Sequence, residues 1–262
     1  DLLCVSLSAN DPAGHTFGPQ SAEVLDFTVR TDRQVEGFLN WLDERIGLQH
    51  CVIALTGDHG VSPAPQLATE QRLDGGLFDA KTPEKELEQR LREVLGADAP
   101  ETPIVLGIEP PWVYCDPSFA KWDKAHNGAL TEAAVEYLRT VAGVAAVFTA
   151  EELAGHAPTL DDRDRHLAWN CYFPGRSGQF YIKWQPFWYH GGGNVAGHKG
   201  GYRSDRHVPL LIYGPRVIPG RYSQAVDATD LSVTLSNILG ITAPSDAVGR
   251  VLYEALDTAP AR

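Results

Sequence analysis

Apolar residues open the chain as a run, Leu2-Leu3-Cys4-Val5 with Leu7, and give way to the polar turn Ser8-Ala9-Asn10-Asp11. The run reads as a buried strand. From Ser21, a residue type suited to a helix N-cap, to Arg45, the positions Val24, Thr28, Thr31, Val35, Phe38, Leu42 and Ile46 recur at three-to-four spacing. That spacing predicts one long amphipathic helix, ended by Gly47. Cys51-Val52-Ile53-Ala54-Leu55 follows as a continuous apolar run, the kind buried on both faces of a parallel sheet, and is closed by Thr56-Gly57-Asp58-His59-Gly60. The strand–helix–strand succession predicts two parallel strands whose C-terminal ends share one sheet edge, the edge at which open α/β sheets bind ligands.

Between residues 62 and 190 the pattern changes. Prolines recur from Pro63 to Pro117 and cut the chain into short pieces. One helix is predicted to be capped at Thr82, with Pro83 at its first position and Leu87, Leu91, Val94 and Leu95 as its apolar face. Another is predicted from Thr131 to Ala142, with Gly143 as its C-cap. Short strands are predicted at Trp112–Tyr114, Val144–Phe148 and Phe180–Trp184, where Phe180, Ile182 and Trp184 alternate. The α/β pattern returns with the strand Val208–Tyr213, the turn Gly214-Pro215 and a helix starting near Asp227 or Thr229 and stopping at Gly240. The expected fold class is therefore α/β, a mostly parallel sheet flanked by helices, with an α+β insertion. Residues 1–61 and 191–256 form the expected core, 62–190 an insertion or cap, and 257–262 a polar tail.

Composition narrows the function classes. Hydrophobic residues make up 43% and charged residues 21% of the 262 positions, as in an ordinary globular protein. No apolar run approaches the roughly 20 residues of a membrane helix. A formal net charge of −12 argues against a surface that tracks nucleic acid, which needs clustered Lys and Arg. It leaves a small phosphate substrate open, because bound divalent cations dominate the local field of such a site. Cys4, Cys51, Cys115 and Cys171 form no C-x-x-C pair, and Cys4 and Cys51 read as small core residues within apolar runs. With no Met at any position and a strand already under way at residue 1, the chain reads as a fragment lacking its N-terminal part.

Three segments place metal-type donors beside predicted strand ends: Asp11-Pro12-Ala13-Gly14-His15, Asp58-His59, and His198 within Gly197-His198-Lys199-Gly200-Gly201. Asp oxygens and His nitrogens suit Zn2+. Each segment alone has a plainer explanation, since Asp and Gly populate turns for their own reasons. Other candidates are weaker. Gly191-Gly192-Gly193-Asn194 has no Gly-Lys-Ser/Thr after it and is not a P-loop. His50, His126, His156, His166, His190 and His207 have no partner at ligand spacing and read as structural or exposed.

In order, Asn10 to Pro19, Thr56 to Val61, and His198 followed by Asp205-Arg206-His207-Val208-Pro209-Leu210 resemble the C-terminal half of metal-dependent alkaline phosphatases and nucleotide pyrophosphatase/phosphodiesterases, in the alkaline phosphatase superfamily. The resemblance implies an alkaline phosphatase-like fold and a phosphate-ester hydrolase, a phosphomonoesterase or phosphodiesterase using two divalent metals, with Zn2+ the expected pair. Asp11, His15 and His198 would bind one metal, and Asp58 and His59 would belong to the other. The Thr or Ser nucleophile is expected upstream, in the missing N-terminal half, so residues 1–262 alone are expected to be inactive. Metals about 4 Å apart would activate that hydroxyl and stabilise the leaving oxygen of an in-line displacement. Lys199 departs from the family pattern, as do Gly201-Tyr202-Arg203-Ser204, and Lys199 and Arg203 read as solvated loop charges. A sulfatase or a cofactor-independent phosphomutase of the same superfamily is the alternative enzyme class, and a non-catalytic metal-binding fragment is a third reading. A periplasmic or secreted location is implied by the resemblance alone.

Overall fold

The computed structural model describes residues 1–159, 161–191 and 193–257. Along them the order is α1 (Asn10–Phe17), α2 (Ala22–Arg45), β1 (Ile53–Thr56), α3 (Pro65–Glu70), β2 (Gly76–Phe78), α4 (Lys81–Leu95), β3 (Val105–Glu109) and β4 (Trp112–Cys115). It continues with α5 (Phe119–Ala125), α6 (Ala129–Thr140), β5 (Val144–Thr149), α7 (Ala150–Leu153), α8 (Arg163–Asn170) and β6 (Phe180–Trp184). The last elements are β7 (Trp188–His190), α9 (Arg203–Arg206), β8 (Leu210–Tyr213) and α10 (Asp230–Leu239). Two compact units result, residues 1–25 with 61–206 and residues 26–60 with 207–262.

The first unit is built on a four-stranded sheet in the order β3-β4-β6-β5. Its neighbours are antiparallel throughout. The alternation along β6 explains why two cores form: Phe180, Ile182 and Trp184 point to one face and Tyr181 and Lys183 to the other. The first face packs with Leu87 and Leu91 of α4 and Leu130, Ala134 and Leu138 of α6. The second carries Tyr181 against Trp112, Leu153 and Ala168. Helix α4 is tied to β3 by Glu88, whose carboxylate accepts the Ile104 and Val105 amides at 2.9 and 2.7 Å and the Arg92 guanidinium at 2.6 Å. This sheet and its helices lie within the stretch expected to be an insertion.

In the second unit β1 pairs with β8, Ile53 opposite Tyr213 and Thr56 opposite Leu210. Helix α10 ends at Gly240, whose φ of 67° is the left-handed cap conformation that glycine adopts without a Cβ penalty. Asp230 holds the following chain to this helix: its carboxylate accepts the Arg250 amide at 2.8 Å, while the Thr234 hydroxyl accepts the Leu252 amide at 3.1 Å. The Ser21 hydroxyl accepts the Val24 amide at 3.2 Å, as its cap-like position before α2 predicts.

Several expectations are corrected. The mostly parallel sheet is not what the described residues form: β1–β8 is antiparallel, as is every ladder of the four-stranded sheet, and β2–β7 is parallel. Residues 1–7 take no strand, and Leu2 and Leu3 are 76% and 69% exposed. An apolar run becomes a buried strand only where ladder partners and a covering layer exist, and among the described residues this one has neither. For the same reason β1 is half-buried to exposed rather than covered on both faces, since its ladder is with β8 alone. Cys4 is exposed and Cys51 half-buried, so neither is a core residue, and all four cysteines are free thiols. Helix α2 follows the predicted spacing, with Val24, Thr31, Val35 and Leu42 half-buried, yet buries none of its residues fully. The tail from residue 258 lies outside the described residues, as does Gly192. No helix among those described is long and apolar enough to cross a membrane.

Candidate metal centre

Asp11 and His15 sit on α1, a helix where a polar turn was expected. Their i, i+4 separation places both side chains on one helical face. Pro12 is compatible because it lies in the first turn, where its missing N–H is one the helix would leave unbonded anyway. The Gly18 amide closes the helix by donating to the Gly14 carbonyl at 2.9 Å.

His198 arrives from a loop after β7. The Val195 and Ala196 amides both donate to the His15 carbonyl, at 2.8 and 3.2 Å, so this loop is laced to the end of α1. Gly197 allows the approach, since a Cβ there would stand 2.5 Å from the Tyr189 ring. That ring cannot yield easily: Tyr189 is buried and its hydroxyl donates to the Asn194 carbonyl at 3.0 Å. His15 and His198 lie with ring centroids 5.2 Å apart. One donor atom from each of Asp11, His15 and His198 falls within 4.8 Å of the others.

The orientation of His15 fits a metal. Its Nδ1 is 2.8 Å from the Ala196 carbonyl, an acceptor, so Nδ1 carries a proton, and Nε2 is turned toward Asp11 Oδ1 at 3.4 Å. Two acceptors at that separation repel unless a proton or a cation lies between them. In the second unit Asp58 and His59 repeat the arrangement just beyond β1. His59 Nδ1 is 2.9 Å from the Gly60 carbonyl, and its Nε2 is 3.6 Å from Asp58 Oδ2. The Asp58 carboxylate also accepts the His59 amide at 3.0 Å. The structure thus brings Asp11, His15 and His198 together in one unit and Asp58 with His59 in the other.

A cavity of about 280 Å³ opens beside His15 and His198, bounded also by Glu109, Tyr189, His190 and Lys199. Sequence reasoning left His190 aside because it lacks ligand spacing. Its place in this wall comes from β7, a strand it did not predict. Lys199 and Arg203 are exposed, as expected of loop charges, and Lys199 additionally borders the cavity. Burial pushes the Tyr189 phenol up to about 12, so it stays protonated as a hydrogen-bond donor at neutral pH.

Residues 1–137 match the family model described as type I phosphodiesterase / nucleotide pyrophosphatase. A Myroides odoratus protein named calcium-transporting ATPase is 30% identical over 259 residues, covering 98% of this chain and 46% of that protein. Alkaline phosphatase PhoV of Synechococcus elongatus is 30% identical over 256 residues, covering 98% of this chain and 45% of its own length. The crystal structure of wild-type alkaline phosphatase PafA superposes with a TM-score of 0.83 at 27% identity, over 96% of this chain and 47% of that one. The chain therefore has an alkaline phosphatase-like fold and spans about half the length of the curated relatives it matches.

Proposed function

Since the chain belongs to the type I phosphodiesterase / nucleotide pyrophosphatase family, within the alkaline phosphatase superfamily, we propose that it is the metal-binding part of a phosphate-ester hydrolase, a phosphomonoesterase or phosphodiesterase. The observation that carries this reading is the grouping of Asp11, His15 and His198, three donors of the type zinc prefers, with His15 Nδ1 bonded to the Ala196 carbonyl and its Nε2 turned toward Asp11. Asp11, His15 and His198 hold one divalent cation, and Asp58 and His59 contribute to a second. A divalent cation held by Asp11, His15 and His198 would, when bound, supply charge neutralisation at an oxygen of an in-line displacement.

The chain's own residues do the rest. The Ala196 and Gly60 carbonyls fix the two imidazoles by accepting their Nδ1 protons. The cavity wall beside His198 receives the ester's leaving group, with the Lys199 ammonium near enough to its rim to meet an anionic oxygen. The remaining half of the relatives' length supplies the hydroxyl nucleophile. It also covers the apolar surface that Leu2, Leu3 and the outer face of α2 expose. A small phosphate ester is the substrate, and a periplasmic or secreted location fits the reading.

Assay of purified residues 1–262 with zinc and p-nitrophenyl phosphate tests it, before and after joining the upstream half. Stoichiometric zinc binding without turnover, with turnover appearing once the upstream half is present, is the expected result. Hydrolysis by residues 1–262 alone would place the nucleophile within them and overturn the assignment. Zinc binding with no hydrolysis by the joined protein would support a non-catalytic metal-binding protein instead.

A further inference from the structure

Lys183 is the charged residue that the strand pattern misplaces. Alternation along β6 puts it on the face of Tyr181, and in a two-layer sheet that face reads as solvent. It is 2% exposed. A buried ammonium persists only when its three protons meet partners, and here the partners are specific. Nζ donates to the Gly200 carbonyl at 2.5 Å, lies 3.4 Å from the centre of the Tyr202 ring, and faces Asp164 Oδ1 of α8 at 3.6 Å. Two of these three belong to the loop that begins at His198.

That loop is unusual in its own backbone. Lys199 has a φ of 81° and Gly201 one of 71°, so a non-glycine residue beside His198 holds the left-handed conformation. Such a turn persists only where its surroundings impose it, and four further bonds do so. The Ser62 amide donates to the Gly197 carbonyl at 2.8 Å, and the Ser62 hydroxyl to Asp205 at 2.6 Å. The Tyr202 hydroxyl donates to the Trp184 carbonyl at 2.8 Å, and Arg206 Nε to the Gly201 carbonyl at 3.0 Å. Gly200 itself is confined, for a Cβ there would stand 2.9 Å from the Asp205 carboxylate. The ammonium is the centre of this clamp and reaches the backbone two residues from the imidazole.

We propose that Lys183, with Tyr202 seated over its ammonium, is a positioning residue that locks the strained loop 199–202 and thereby sets His198 against Asp11 and His15. The inference rests on the metal-binding reading above. Lys183 touches neither metal nor substrate; it acts through the Gly200 carbonyl. Burial lowers the Lys183 pKa and Asp164 opposes that shift, a balance in keeping with a cation retained for its contacts.

Cobalt titration of the folded chain tests the inference, because the visible absorption of bound Co2+ reports coordination geometry as well as affinity. Lys183→Met, which keeps length and removes the charge, is expected to weaken Co2+ binding about tenfold, as loss of a supporting outer partner does, and to alter the visible bands. Tyr202→Phe keeps the ring and removes the anchor to Trp184. It is expected to shift the bands in the same sense while the protein remains folded, and it carries the test should Lys183→Met not fold. Wild-type affinity and spectrum in folded Tyr202→Phe and Lys183→Met proteins would overturn the positioning role while leaving the metal centre standing. If the wild-type chain binds no Co2+, or His198→Ala binds it equally well, the metal reading itself fails and takes this inference with it.

Discussion

Replacing His198 by alanine is expected to lower zinc affinity at the Asp11–His15 site at least about a hundredfold, beyond the 10–100-fold typical of outer partners. The reasoning is a count of donors. With His198 present, three donor atoms lie within 4.8 Å of one another; without it, one carboxylate and one imidazole on a single helix face remain. Zinc sites hold four ligands, of which catalytic sites draw three from protein, so two protein donors leave the ion mostly to water. His190 supplies the control. It lines the same cavity but stands outside the donor group, so His190→Ala is expected to bind zinc within about twofold of wild type, an effect well under 1 kcal/mol. Calorimetric titration with zinc distinguishes the two, and equal losses in both variants would mean that the cavity binds metal through a different set of groups.

Leu138→Ala is expected to destabilise the first unit by about 3 kcal/mol, within the 2–5 kcal/mol range of fully buried leucines. Leu138 lies on α6 with no exposed surface, packed among Leu87, Leu91, Ile182 and Trp184 on one face of the four-stranded sheet. Truncating it removes apolar contact and leaves a cavity that rigid strands on one side and two helices on the other cannot fill. Trp41→Ala offers the contrast, because Trp41 is half exposed on a helix that buries no residue fully, and its loss should stay near 0.5 kcal/mol. Urea unfolding followed by far-ultraviolet circular dichroism would measure both. A Leu138→Ala loss no larger than that of Trp41→Ala would mean that the cluster around β6 is not the core of this unit.

These two variants also separate what was legible in the sequence from what was not. Strand β6 was readable residue for residue because Phe180, Ile182 and Trp184 alternate onto the face that packs against α4 and α6. The helix before Gly240 and the long α2 were readable because three-to-four spacing survives wherever one face is less exposed than the other. Residues 1–7 were misread for the converse reason: composition reports that a segment can be buried, whereas strand formation depends on neighbours the segment does not contain. Sheet direction failed similarly, since a continuous apolar run such as Cys51–Leu55 is equally compatible with the antiparallel pairing to β8 that the structure adopts.

The residue types and their order anticipated the grouping of Asp11, His15 and His198, and their local geometry was not anticipated. Pro12 and Gly14 masked α1, although the i, i+4 spacing of Asp11 and His15 was itself a helical signal. The carbonyls that orient the imidazoles, from Ala196 and Gly60, belong to the backbone and leave no mark in residue identity. Lys183 did leave one: a lysine between Ile182 and Trp184 is odd unless its face of the strand is covered, and Tyr181 and α8 cover it.

Diffraction at the zinc absorption edge from crystals of the zinc-loaded chain bears most directly on the account. An anomalous peak about 2.0–2.2 Å from an Asp11 oxygen and from one nitrogen each of His15 and His198 is the predicted result, with a second peak bound to Asp58 and His59. Zinc bound elsewhere, with Asp11, His15 and His198 contacting no ion, would contradict it.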